Sequence, residues 1–162
     1  MIAYDIPSTV HDISGYAGKI ASFVAEEREK SRDRLEKSIV LGLAAKGTFQ
    51  ELDEVYEECS SAGWDGEQAE PISREVVEYT ILFLESFPLG IEAPEISAEP
   101  DGAITLEWYR SPTRVISISI NPDGWIYYAA LIGTSRRHGG DCALIGVSDD
   151  ILKLISQVIN TR

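Results

Sequence analysis

Basic residues, cysteine and histidine are all scarce in this chain. Of its 162 residues, 14 are lysine or arginine against 27 aspartate or glutamate, a formal net charge of -13. General nucleic-acid binding needs a basic face to neutralise phosphates, so this balance excludes it. There are only two histidines and two cysteines. Cys59 and Cys142 lie far apart, and no C-x-x-C or H-x-x-x-H spacing occurs, which argues against a structural zinc site. Such thiols read as small buried hydrophobes in a reducing compartment. No G-x-S-x-G elbow, Walker loop or dinucleotide fingerprint is present. No apolar run approaches the roughly 20 residues that span a bilayer. The opening MIAYDIPSTVHDIS has no basic region leading into an apolar one, so a cytoplasmic location without secretion signal is expected.

What is there is an ordinary globular composition, 44% hydrophobic and 25% charged, in a length suited to one domain with its own core. The charge is unevenly spread. Residues 63–109 carry 11 acids and one base, Arg74, whereas residues 110–162 carry 4 acids and 6 bases.

The hydrophobic period divides the chain. Ile13, Tyr16, Ala17, Ile20, Phe23 and Val24 recur at helical spacing, and a long helix is expected over about 11–37, extending through SIVLGLAAKG to a stop at Gly47. Thr48 and Glu51 form a T-x-x-E capping pattern before Phe49, Leu52, Val55, Tyr56 and Cys59, which predicts a second helix over 49–61. Its acids Glu51, Asp53, Glu54, Glu57 and Glu58 make a candidate interaction face. Pro71 and Ser73 open a third helix, to about Glu85. After Pro94 the period becomes 2. EISAE, AITLEWY, RVISISI, WIYYAALI and DCALIGV are expected as strands, the first and last weakly, with type I turns at Pro100-Asp101-Gly102 and Pro122-Asp123-Gly124. Ser148 is expected to cap a final helix.

The fold class is therefore α+β: an antiparallel meander of four to five strands packed by helices, with an N-terminal helical hairpin. Residues 1–62 form a helical segment and 63–162 the α+β domain, unless the two are one continuous domain.

Three segments match a recognisable pattern. Gly63, Trp64, Asp65, Gly66, Ala69, Pro71 and Ile72 lie in GWDGEQAEPIS. Pro100, Asp101, Gly102, Ile104, Leu106, Glu107 and Trp108 lie in PEISAEPDGAITLEW, and VISISINPDGWIYYAALIG follows. Residues 62–160 thereby resemble a widespread family of small bacterial proteins with a G-W-D-G-x-x-A-x-P-I segment and a P-D-G-x-I-x-L-E-W hairpin. The resemblance implies a bacterial cytoplasmic origin and a fold. It supplies no catalytic residue, and the first 60 residues lie outside it.

The candidate sites are few. His138, Asp141 and Cys142 hold three metal-ligating types in five residues, but the simpler reading of HGGDC is a glycine-rich turn, and no metal site or cofactor is expected. Gly63, Trp64, Asp65 and Gly66 read as a structural turn, with Asp65 bonding nearby backbone N–H groups; an enzymatic alternative would have carboxylates around Asp65 hold a divalent cation. In a meander alternate loops share one end of the sheet. YRSPTR and TSRRHGG, taken as loops, would gather Arg110, Arg114, Arg136, Arg137 and His138 at one rim, a candidate dock for an acidic partner or anion. Trp125, Tyr127 and Tyr128 are expected to pack in the core or under helices, with Ser117 and Ser119 on an exposed face.

The functional expectation is a non-catalytic, acidic protein that binds another protein, in an antitoxin-, immunity- or defence-accessory role, with homodimerisation through the N-terminal helices. The alternative is a small-anion or nucleotide-binding module using the arginine rim. General nucleic-acid binding and membrane association are not expected.

Overall fold

The computed structural model describes residues 42–160, with side chains described from residue 47. The expected helix over 11–37, its hairpin and dimerisation through it lie outside the described residues. Helices α1 (Gly42–Cys59) and α2 (Arg74–Glu85) precede strands β1 (Glu95–Ala98), β2 (Ile104–Ser111), β3 (Arg114–Ile120), β4 (Trp125–Ile132) and β5 (Ser135–Cys142). A 3-10 turn (Ala143–Ile145) and helix α3 (Asp149–Ile159) complete the chain's described part. None of the described helices is long and apolar enough to cross a membrane.

The strands form one antiparallel sheet in sequence order, β1-β2-β3-β4-β5. Strict alternation decides its faces. Ile96, Ile104, Leu106, Trp108, Ile116, Ile118, Ile120, Ile126 and Ala130 are all buried on one side. Against them pack Leu52 of α1, Val76, Val77 and Phe83 of α2, and Ile151, Ile155 and Val158 of α3. The α3 trio falls on one helical face, by the spacing expected of a core stripe. Burying each such side chain contributes roughly 1.5–3 kcal/mol, and this one-sided layer leaves the second sheet face without a described helix.

The turns follow the local chemistry. Gly102 (φ 85°) and Gly124 (φ 82°) take the left-handed conformation that ends each Pro-Asp-Gly turn. Asp101 and Asp123 each accept the backbone N–H two residues on. Gly102 lies against Pro122, so both turns meet at one end of the sheet. At the other end the Gly133 N–H donates to the Thr113 carbonyl at 2.8 Å, joining the β2–β3 and β4–β5 turns. The meander geometry expected from the sequence is thus present.

Four local expectations are corrected. Gly47 does not stop a helix; α1 runs through it, and a glycine inside a helix costs only about 1 kcal/mol. Thr48 accordingly sits inside α1 and is not an N-cap, while Glu51 turns to β1: the Ile96 N–H donates to its Oε1 at 3.1 Å. DCALIGV is not a strand; it holds the end of β5 and the 3-10 turn, tied back by Ala143 N–H to the Gly124 carbonyl. Ser148 occupies the N-cap position of α3 with extended backbone, but its side chain makes no cap bond. Ser73, by contrast, accepts from the Val76 N–H at 3.3 Å as expected.

Residues 47–59, assigned from sequence to the N-terminal segment, share the sheet's core through Leu52, Val55, Tyr56 and Cys59.

Candidate functional site: the open face of the sheet

The register places the open face residue by residue. Tyr109, Val115, Leu131 and Arg136 lie in one row across β2 to β5. Glu95, Glu107, Ser117, Ala129 and His138 form the next. Ser97, Thr105, Ser119, Tyr127 and Gly140 form the third, and Trp125 and Cys142 the last pair. Trp125, Tyr127 and Tyr109 are 52%, 56% and 54% exposed. The expectation that Trp125 and Tyr127 pack in the core is therefore overturned, because both point away from the helices. Tyr128, one residue on, is half-buried on the helix side. Ser117 and Ser119 do line the open face, and Ser117 donates to Glu107 Oε2 at 2.7 Å. Thr105 donates to Glu99. The face is thus acidic over β1–β2, small and polar at its centre, aromatic over β4 and basic on β5.

The five residues expected at one rim do not converge. SRRHGG is strand, not loop. Alternation sends Arg136 and His138 to the open face and Arg137 to the opposite one. Arg110 lies on β2, three strand spacings or about 14 Å from β5, and pairs with Glu92 beside a cleft of about 220 Å³ that Glu95, Glu107, Trp108 and Ile159 also line. Arg114 is half-buried, and its Nη1 is fully covered without a hydrogen-bond partner. A covered donor is a cost to the fold rather than a ligand contact. Arg136, Arg137 and His138 are exposed, and among the described residues no carboxylate pairs with them.

Two glycines explain why β5 fits here. A Cβ on Gly139 would meet the Tyr128 hydroxyl at 2.5 Å, and one on Gly140 would meet the Tyr127 ring at 3.4 Å. Consecutive tyrosines of β4 thus cross consecutive glycines of β5, one on each face. The sequence carried one signal of this hairpin that the glycine run obscured. Gly133 (φ 65°) and Thr134 form a two-residue loop closed by the Ile132–Ser135 pair, the glycine-first turn that suits antiparallel strands.

The remaining candidates resolve as structure. Asp65 Oδ1 accepts the N–H groups of Glu67 (2.8 Å) and Ala69 (3.2 Å), and Trp64 Nε1 donates to the Glu70 carbonyl (3.0 Å). Gly63 (φ 72°) and Gly66 (φ 84°) permit that turn, and the Glu70 N–H donates to the Pro100 carbonyl, docking it on the first Pro-Asp-Gly turn. Asp141 faces the opposite side of β5 from His138 and Cys142. Among the described residues no group of three His, Cys, Asp or Glu is placed to hold a metal ion. Of the acidic helix, Asp53, Glu54, Glu57 and Glu58 are exposed, whereas Glu51 is engaged with β1.

Two groups are electrostatically shifted. Burial, with Glu58 beside it, pushes the Cys59 thiol up, which keeps it an inert neutral hydrophobe. Glu75, in the first turn of α2, is held below the ordinary carboxylate range by its own backbone N–H and by Ser73.

In comparisons with known proteins, the chain matches no family model, no curated protein and no solved structure.

Proposed function

We propose that the chain is a non-catalytic, protein-binding module of the bacterial cytoplasm, of the antitoxin, immunity or defence-accessory kind, and that it docks its partner on the open face of the sheet. The observation that carries this reading is the exposure of Trp125, Tyr127 and Tyr109 on one sheet face. Tryptophan and tyrosine dominate binding energy at protein interfaces because they bury a large area at little conformational cost. Arg136 and His138 border the aromatics on one side and Glu107 and Glu95 on the other, which would set a partner's orientation. The exposed acids of α1 fit a steering role toward basic partners. The resemblance to small bacterial proteins belongs with this reading, since its G-W-D-G and P-D-G motifs serve here as turns that hold the sheet.

The test is recovery of a stoichiometric partner from the native host by the tagged chain. Trp125→Ala with Tyr127→Ala is expected to lose that partner while the fold is kept. Recovery of no partner at all sinks the reading. Retention by this variant, with loss when Asp53, Glu54, Glu57 and Glu58 are neutralised, moves the dock to α1.

A second reading, a small-anion or nucleotide site on β5, is favoured by the exposure of Arg136 and His138 on the same face of the strand. A true ligand raises the melting temperature by mass action. Under this reading phosphate or a nucleotide stabilises the wild type and not Arg136→Ala.

A further inference from the structure

The two edges of the sheet are treated differently. β1 is short, Glu95–Ala98, and its outer side is occupied by α1, where Glu51 takes the Ile96 N–H. β5 is twice as long, Ser135–Cys142, and among the described residues is paired along its whole length on the inner side only. Among the described residues no backbone group hydrogen-bonds to its outer side. A long unpaired edge is a template for another strand.

We propose that β5 pairs antiparallel with β5 of a second copy across a two-fold axis, making one continuous ten-stranded sheet. The charges and the parity of the strand select the occupant and the register. A two-fold perpendicular to the sheet keeps each face on its own side, so residues paired across the axis must share a face. Arg137, Gly139 and Asp141 lie on the helix side, and Arg136, His138, Gly140 and Cys142 on the open side. Centring the axis on Gly139 sets Arg137 opposite Asp141 of the second copy, twice by symmetry. It also sets His138 opposite Gly140 and Arg136 opposite Cys142. Centring it on Arg137 opposes like charges, and centring it on His138 opposes two imidazoles and strands Asp141 opposite Ser135. The chosen register is the one that aligns unlike charges, the attractive cross-strand arrangement. Among the described residues neither Arg137 nor Asp141 has an ion-pair partner: Arg137 is exposed, and Asp141 accepts its neighbour's backbone N–H, that of Cys142, at 2.9 Å.

The glycines suit this axis. With no side chain at Gly139 the two strands meet without bulk between them, at the usual spacing of about 4.8 Å. Each Tyr128 ring already lies over its own Gly139, so the pairing brings the two rings together above the axis and excludes water from the central hydrogen bonds. On the open side the Arg136 and His138 side chains of both copies form a central basic strip flanked by Trp125 and Tyr127 of each. The inference rests on the edge and its charges and is independent of what docks on the open face.

The experiment uses the full chain at micromolar concentration in analytical ultracentrifugation. Wild type is expected to sediment as a dimer. Arg137→Asp and Asp141→Arg each weaken it at least tenfold, and the double exchange restores it, since the pair is then reversed. Matching far-UV circular dichroism checks that each variant is folded. Independently, Arg136→Cys under mild oxidation should give a disulfide-linked dimer through the native Cys142 of the other copy, lost in the Cys142→Ser background. Paired strands bring such residues within disulfide reach. A monomeric wild type overturns the proposal. So does a dimer indifferent to both reversals, a double exchange no better than the single ones, or a cross-link that survives Cys142→Ser. A heterologous strand captured on a monomeric β5 would equally exclude the self-pairing.

Discussion

The Tyr128 ring lies across Gly139, so close that a Cβ there would sit 2.5 Å from its hydroxyl oxygen and 2.6 Å from the ring carbon that bears it. Gly139 has an ordinary extended backbone, so its need for glycine is steric alone. Gly139→Ala is expected to destabilise by about 1–3 kcal/mol, the usual range for overpacking. Urea denaturation in a double-mutant cycle checks the cause. In a Tyr128→Ala background most of the alanine's cost should vanish.

Asp65 is expected to act only as a turn acceptor. Asp65→Ala leaves two backbone N–H groups of the GWDG loop without their acceptor, at about 1–2 kcal/mol, while Asp65→Asn keeps an acceptor and loses less. Chelator should not change the melting temperature of either protein. A chelator-induced drop in the wild type would instead point to a bound cation at this loop.

Glu51 joins α1 to the edge of the sheet. Glu51→Ala is expected to lower stability by about 1–2 kcal/mol by leaving the Ile96 N–H without its partner. Amide hydrogen exchange at Ile96 should accelerate more than at Leu106 on the neighbouring strand. Replacing Asp53 or Glu57, which are exposed, should change stability by under about 0.5 kcal/mol.

Glu75 ties stability to acidity. Its carboxyl is held below the ordinary value of 4.5, so the folded state binds that proton less readily than the unfolded chain. The resulting stabilisation is fully present above the ordinary value and is lost as pH falls through the lower, folded-state value. Glu75→Gln should therefore unfold at lower urea than wild type at pH 7, with the two midpoints converging as pH falls below the ordinary carboxylate range. A midpoint gap that stays constant across this range would assign the effect to something other than the carboxylate.

Local signals determined much of this protein. Ser73 capped α2, the two Pro-Asp-Gly turns closed their hairpins, and the alternating isoleucines and serines of β3 placed one face inward, because each depends on backbone preferences or a period within a few residues. The GWDG stretch was legible as a turn for the same reason. The tertiary structure decided what those signals left open. Gly47 lies inside α1 because packing of Leu52 and its neighbours outweighs one glycine's helix penalty. SRRHGGDC has no strand-like period, yet becomes β5 because Tyr127 and Tyr128 of the adjacent strand fill the space its glycines leave. That pairing then sends Arg136 and Arg137 to opposite faces, since one residue along a strand reverses its side chain, and only the register against β4 determines which face each one takes. That parity, with Arg110 held on β2 by Glu92 and Arg114 half-buried, dissolves the arginine rim suggested by loop order, while the register of β4 against β3 turns Tyr127 to the open face.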